Sequence, residues 1–481
     1  MKKISVLLTV LMITAFGFQS CEDMDDTDVP VYDFIWKGLN LYYLWKDEVP
    51  DLSDERFANQ DQLNNYLEGF SSPESLFESL LYQRNVIDKW SIIVPDFTVL
   101  ENALQGVSKS NGAEFGLKLA SNGNDVFGYI RYILPNSDAS GKNIQRGDLF
   151  YAVNGTPLNV NNYQSLLSAD TYTLNLATFV NGVLTATGED VTLTKTAYAE
   201  NPVHHVNVIN EGSHKIGYLM YNGFYSSYDA DLNAAFAQLK SQNVSELILD
   251  LRYNSGGSVR TATYLASMIT GQFTGQLFSK QQWNSTIQEH YEDNNPEALT
   301  ELFGTQLSNG AAISSLNLSR VYVLTTQSTA SASELLINCL SPYIDVVVIG
   351  TTTTGKNVGS ITLYDSPDFT SANRDGSHRY AMQPIVIRTI NSEGFGEYSQ
   401  GLAPDIELPE DMANLGEIGS TSDPLVAAAV NNITGMGRNN FEPEVKARNL
   451  RDSKNLRRFG TEMYIEELPE GAHILLKNMI Q

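Results

Sequence analysis

The spacing of apolar and polar positions changes along the chain, and each change predicts a different unit. Behind Lys2-Lys3, an apolar run from Val6 to Phe18 is too short to span a membrane as a stable helix. It reads as a secretion signal, residues 1–21. Residues 22–30 (EDMDDTDVP) are acidic and nearly free of apolar side chains, which predicts a disordered tether. From 31 to 105 the apolar positions fall at helical spacing: Tyr32, Ile35, Trp36, Leu39, Tyr42, Tyr43 and Trp45, then Leu63, Tyr66 and Leu67, then Leu76, Leu80 and Leu81. Ser71-Ser72-Pro73-Glu74 marks a helix start, and the aromatic stripe reads as core. Residues 106–198 switch to strand-like patterns, with runs at Val126 to Ile133, alternation at Tyr172, Leu174 and Leu176 and again at Val191 and Leu193, and a hairpin signal at Asn181-Gly182.

From 199 to 435, strand and helix patterns alternate. Lys215 to Leu219 is a strand, and Leu232, Ala235, Phe236 and Leu239 line a helix. Leu247 to Leu251 is a continuous apolar run that predicts a strand buried on both faces. A helix follows at Ala262 to Ile269, a strand at Val321 to Leu324, a helix carrying Leu335, Leu336, Cys339 and Leu340, and a strand at Val346 to Ile349. Residues 271–319 are polar and aromatic, and two readings stay open: a cover for the cleft or a surface excursion. The C-terminal extension, 436–481, is polar, carries Arg448, Arg451, Arg457 and Arg458, and offers no identifiable chemistry.

Composition narrows the function classes. The 481 residues are 42% hydrophobic and 18% charged, enough for roughly three packed domains at about 150 residues each. A net charge of −25 leaves no basic stripe for phosphates, so nucleic acid is excluded as a partner, as is adhesion to anionic lipid through protein charge. Cys21 and Cys339 belong to no metal-ligand spacing, so no metal and no cofactor is expected; Cys339 reads as a buried small apolar residue.

The candidate chemistry sits in Ser328 to Ser360. A strand runs into the small-residue cluster Ser328-Thr329-Ala330-Ser331-Ala332-Ser333, and a helix begins at once. That turn exposes a serine beside free helix N-terminal N–H groups suited to an oxyanion. The stretch has no histidine and one lysine, Lys356, which can act as a base only if desolvation keeps it neutral. A second block, Arg252-Tyr253-Asn254-Ser255-Gly256-Gly257, follows the buried strand; paired glycines there allow close backbone approach to a ligand. A phosphate loop fits poorly, because its lysine and threonine are missing.

TASASE, with Gly355-Lys356 closing 25 residues after Ser331, closely resembles the C-terminal processing peptidases, or tail-specific proteases. The resemblance spans roughly residues 88–435, and Asp88-Lys89-Trp90-Ser91 stands where the family carries an aspartate, an aromatic and a serine. It implies a Ser–Lys dyad of Ser331 and Lys356. LDLRYNSGG matches the family's DLRxNxGG block and implies an oxyanion hole from Ala332 and either Gly256 or Gly257, with Glu334, Asp250 and Arg252 in support. The family often has a glutamine shortly after the lysine; here Asn357 or Ser360 takes that role, or none is needed. Residues 106–198 look like a PDZ domain, with Phe115-Gly116-Leu117-Lys118 similar to its carboxylate-binding loop.

Gln19-Ser20-Cys21 resembles a lipobox that has Phe18 where leucine is usual. It implies lipidation of Cys21, and the acidic residues after it resemble the export signal of Bacteroidetes-type lipoproteins. The implied fold is multidomain α+β: an α/β serine–lysine peptidase core behind a PDZ-like β-rich domain and a small helical N-terminal domain. The implied partners are unstructured proteins or peptides engaged through their C-termini, with membrane attachment through the lipid anchor alone, on an outer-membrane lipoprotein facing the periplasm or the exterior. Two rivals are a catalytically silent peptide-binding lipoprotein and a β-lactam-reactive enzyme. The latter needs Ser-x-x-Lys, and Glu334 stands at that third position.

Overall fold

The computed structural model describes residues 29–180, 182–436, 447–457, 459 and 462–468. The leader, Cys21, most of the acidic tether and Asn181 lie outside them. Among the described residues, no helix is long and apolar enough to cross a membrane.

The chain opens with α1 (Pro30–Tyr42), α2 (Gln60–Leu67) and α3 (Pro73–Ser79). Pro30 starts α1, where a missing N–H costs nothing, and Asn59 and Ser72 cap the next two helices through their side chains. Ile35, Leu39, Leu63, Leu67 and Leu76 enter the same core as the later parallel sheet, so these helices share their core with that unit. Strand β1 (Ile92–Val94) pairs antiparallel with residues 381–383, and α4 (Phe97–Leu104) follows.

A β-rich body comes next. Its elements are β2 (Val107–Ser110), β3 (Ala113–Leu119), β4 (Val126–Ile133), β5 (Leu149–Val153), β6 (Thr156–Pro157), α5 (Tyr163–Ser168), β7 (Thr171–Val180), β8 (Val183–Thr194) and β9 (Thr196–Ala199). It has a core of its own, in which Leu117, Ile130, Phe150, Leu174 and Leu193 meet. Phe115, Gly116, Leu117 and Lys118, expected as a loop, are strand: all four lie inside β3 and pair with β4. Phe115 and Leu117 point into that core, and Gly116 makes room for a ring, since a Cβ there would lie 2.5 Å from Tyr129. The turn before the strand is Asn111-Gly112, where Gly112 has φ +88°.

The α/β unit contains β10 (Val203–Glu211), β11 (His214–Tyr221), α6 (Asp229–Ser241), β12 (Glu246–Asp250), α7 (Val259–Ile269), β13 (Leu277–Gln282), α8 (Ser285–Asn294), β14 (Thr300–Leu302), β15 (Arg320–Thr325), α9 (Ala332–Leu340), β16 (Asp345–Gly350), β17 (Val358–Ser360), β18 (Leu363–Tyr364), β19 (Ala381–Gln383), β20 (Ile385–Ile390), β21 (Ile406–Glu407) and α10 (Pro424–Thr434). The main sheet has the order β10-β11-β12-β15-β16-β21 and is parallel apart from β10. Its strands feed two cores at once. Leu247 and Leu249 of β12 face the helix side, while Ile248 faces the side covered by α10. A second sheet, β14-β13-β20-β17, and α8 account for much of 271–319, which is therefore neither a cover nor an excursion. Ile287 and Tyr291, one turn apart on α8, are buried, and Asn284 donates to the carbonyls of Leu41 and Tyr43.

Part of the C-terminal extension also has structure. Strand β22 (Arg448–Asp452) adds antiparallel to the outer edge of β3, giving a sheet ordered β22-β3-β4-β5-β7-β8.

A buried ion network joins the units. Arg252, 1% exposed, reaches Asp250 at 2.6 Å, Asp423 at 2.7 Å and Glu410 at 3.2 Å. Arg146 of the β-rich body reaches Asp423 at 3.3 Å and donates to Tyr253 Oη at 3.0 Å. Removing the central cation strands buried carboxylates. Arg252→Met is therefore expected to cost about 3–5 kcal/mol of stability, read from urea unfolding; a loss under about 1 kcal/mol would refute this account of the network.

Candidate active site

The site lies at the carboxyl ends of β12, β15 and β16, where open parallel sheets place their ligands. Three loops leave those ends: 251–257, 326–331 and 351–356. They are tied to one another by backbone acceptors. Thr329 Oγ1 donates to Leu251 O at 2.8 Å, Ala330 N to Asn254 O at 3.1 Å, and Thr354 N to Thr329 O at 2.9 Å.

Ser331 stands at the start of α9 with φ +66°, a conformation that side chains other than glycine rarely adopt. Its Oγ is buried and makes no hydrogen bond. Orphaned hydroxyls of this kind are uncommon, and strain of this kind gathers at functional sites. Glu334 fixes the serine's backbone. Its Oε2 accepts the N–H of Ser331 at 2.7 Å and the N–H of Lys356 at 2.9 Å; its Oε1 accepts Thr353 Oγ1 at 2.5 Å and Gly355 N at 2.6 Å. One carboxylate oxygen thus binds the main chain of both candidate dyad residues. Burial raises the Glu334 pKa, and these four donors oppose the rise.

Lys356 is fully buried. Its Nζ lies 3.4 Å from Glu462 Oε2 and 5.6 Å from the Trp90 ring centroid. Desolvation lowers its pKa, and the carboxylates of Glu462, Asp88 and Glu334 work the other way. Trp90 is held in place from below. Asp88 Oδ1 accepts the N–H groups of Trp90 and Ser91, Asp88 Oδ2 accepts Tyr43 Oη, and Ser91 Oγ accepts Ile385 N.

The glycine pair faces the serine. Gly256 has φ +109° and Gly257 φ +138°. A Cβ on Gly256 would sit 2.5 Å from Ser331 Cβ, and one on Gly257 would sit 2.2 Å from Phe224 O, so both positions demand glycine. The Gly256 N–H is already bonded to Asn254 Oδ1 at 2.9 Å, whereas the N–H groups of Gly257 and Ala332 meet no acceptor among the described residues. Asp250 Oδ1 accepts Arg252 N at 3.1 Å, so this pair holds the turn behind the glycines. Asn357 bonds Gly396 O and Ser360 Oγ bonds Met463 O, so neither supports the pair of Ser331 and Lys356 directly. Cys339 is buried on α9.

Two residues of this site, Trp90 and Glu462, stand apart from the sequence expectations. Trp90 carries a signal in the Asp-Lys-Trp-Ser block. Glu462 carries none, because its place depends on a long-range path of the chain. A cavity of about 350 Å³ opens beside Lys356, between Leu117 and Lys118 of β3, Ser328 of the serine loop, and Asp452.

The profile for peptidase family S41 matches residues 215–408, and that for the peptidase S41 N-terminal domain matches residues 31–92. A carboxyl-terminal-processing protease from a Picosynechococcus species is 24% identical over 251 residues, 52% of each protein. A tail-specific protease from Haemophilus influenzae is 26% identical over 196 residues, 40% of this chain and 25% of the relative. The chain therefore spans about half or less of these curated relatives. A crystal structure named as a candidate S41 protease from Bacteroides fragilis superposes with a TM-score of 0.65 at 28% identity, covering 84% of this chain and 98% of that one. With both profiles in chain order and the serine, glycine and lysine loops converging at one end of the sheet, the chain belongs to the peptidase S41 family.

Proposed function

We propose that the chain is a serine endopeptidase in which Ser331 is the nucleophile and Lys356 the general base. The observation that carries this reading is the shared Glu334 oxygen, which draws the two residues to one point and aims them from separate loops. Neutral Lys356 takes the Ser331 proton as Oγ attacks the peptide carbonyl. The oxyanion is held by the N–H groups of Ala332 and Gly257, the amine leaves with the proton, and water hydrolyses the acyl-enzyme. Gly256 acts through shape, because its own N–H is engaged. The substrates are unstructured polypeptides selected by an apolar C-terminal tail, which adds as a strand to the PDZ-like body. No cofactor takes part. The mature chain sits in the cell envelope, held by lipidated Cys21.

The deciding experiment compares the parent, Ser331→Ala and Lys356→Ala on an unstructured reporter with either an apolar or a charged tail. Both variants are expected to lose cleavage, and the parent to prefer the apolar tail. Its kcat/KM should rise with pH through an ionisation below the ordinary lysine value of 10.5, because the base works only when neutral. A parent that binds tails without cutting would support the silent peptide-binding lipoprotein instead.

Glu334 acts as a positioning residue. Glu334→Gln turns an N–H₂ toward two N–H donors and is expected to lower kcat about 10²-fold while KM stays within about threefold. Equal losses in kcat and global stability would reduce it to a structural role. Cys21→Ser should move the chain from the membrane fraction to the soluble fraction; persistent membrane association would remove the anchor.

A further inference from the structure

The C-terminal extension follows a path that its polar sequence does not announce. It first lies on the edge of β3. Arg448 pairs with Leu119, Asn449 with Lys118 and Asp452 with Gly116, and Ser453 N donates to Phe115 O at 2.9 Å. Asp452 Oδ2 then accepts from Arg131 at 3.0 Å and from Ser328 Oγ at 2.6 Å, three residues before the nucleophile. Farther on, the extension passes between the glycine loop and β17. Tyr464 N donates to Gly257 O at 3.1 Å, and Tyr464 O accepts Val259 N at 3.0 Å. On the other side, Met463 O accepts Ser360 N at 2.8 Å, and Ile465 N donates to Ser360 O at 3.1 Å. Residues 463–465 are thus an extended stretch bonded on both sides through Tyr464, between the glycine loop and the strand that follows the lysine. At its head, Glu462 meets Lys356.

The β3 pairing and the bonds of 463–465 are main-chain bonds, which an extended peptide can reproduce, while Asp452 and Glu462 add side-chain contacts of their own. The edge of β3 and the groove between Gly257 and Ser360 are surfaces an extended polypeptide can bind; the cavity of about 350 Å³ runs from Leu117 and Lys118 of β3 to Lys356, and Lys356 meets Glu462 at the head of the second stretch. We propose that this edge and groove form one continuous peptide track, that residues 448–457 and 462–468 occupy it as a resident pseudosubstrate, and that a substrate must displace them to be bound and cut. The proposal rests on the peptidase reading for its cutting step and on geometry alone for its binding step. While the segment is in place, the Lys356 amine pairs with Glu462, and Ser331 Oγ is left without a partner. The carboxylates facing Lys356 are Glu462 from the segment, Asp88 from the N-terminal unit and Glu334 from α9, with the Trp90 ring beside them. Withdrawing Glu462 removes the ion pair and favours the neutral amine that the reaction needs.

Met463 and Ile465 also fill core space, so deleting the segment risks unfolding. The test locks it instead. Lys118 Nζ donates to Asn449 Oδ1 at 2.5 Å, so these two side chains lie side by side across the strands. In a Cys21→Ser background, Lys118→Cys with Asn449→Cys would tether the segment when oxidised and free it when reduced; Cys339 is buried and stays out of the exchange. Binding is read with a fluorescent unstructured peptide ending in an apolar carboxylate, on chains that also carry Ser331→Ala. The reduced form is expected to bind about tenfold more tightly than the oxidised form, because locking removes the competent population. Equal binding, or binding to neither form, overturns the proposal.

Cleavage is measured separately with Ser331 intact. If no form cuts but affinity still depends on the lock, the peptidase reading falls and the resident segment stands. Glu462→Gln leaves the backbone contacts in place. It is expected to raise cleavage at neutral pH and to move the acid limb of kcat/KM to lower pH. An unchanged limb overturns the Glu462 contact as a restraint on Lys356.

Discussion

The site depends on one carboxylate. Glu334 sits in the first turn of α9, and its two oxygens accept four hydrogen bonds from three residues of the 351–356 loop and from Ser331 itself. The serine's positive φ carries a strain of order 1–3 kcal/mol. That strain persists because the surroundings over-determine it. Ala330 is bonded to Asn254, Thr329 to Leu251, and the serine N–H to Glu334. A buried carboxylate is costly unless every lone pair is used, and here the four donors meet that demand while fixing the geometry. Stability and alignment are therefore the same set of bonds.

Two buried cations show how differently a fold can treat charge. Arg252 is surrounded by Asp250, Asp423 and Glu410, so it is locked in its ionised form behind the glycine loop. Lys356 meets Glu462 at 3.4 Å, an aromatic face and an apolar interior. The guanidinium suits a permanent, multidentate anchor, whereas the amine is the group whose protonation burial can change. The first arrangement makes a rigid wall behind the site, and the second is an amine whose charge burial disfavours and the carboxylates of Glu462, Asp88 and Glu334 favour.

Much of this was legible in the residues, because the signals were local. The doubly buried run Leu247 to Leu251, the strand at Val346 to Ile349 and the turn from Ser328 into α9 announce themselves over a few positions. They lie where the patterns put them. The body of residues 106–198 was legible as β-rich, yet Gly116 was misread. Its likeness to a carboxylate-binding loop suggested a loop, but its reason is the Tyr129 ring packed over it. Residues 448–457 and 462–468 were illegible for a different reason. Their strand partners are hundreds of residues away, and their polar side chains satisfy buried partners such as Arg131 and Lys356 rather than water. No periodicity encodes such an arrangement.

The path of that segment also bears on how recognition and cutting could be linked. One stretch of chain is bound at two places, the β3 edge and the cleft, with a short connection between them. Each contact then holds the other at an effective concentration on the order of millimolar. A polypeptide that wins the β3 edge removes that advantage, and the strand in the cleft must then persist on its own bonds. On the proposed track, displacement at the β3 edge therefore loosens the stretch beside the glycine loop through the chain itself. An incoming chain that reached only the cleft would face the segment at full local concentration. On the proposed track, the topology would favour substrates that present a tail first.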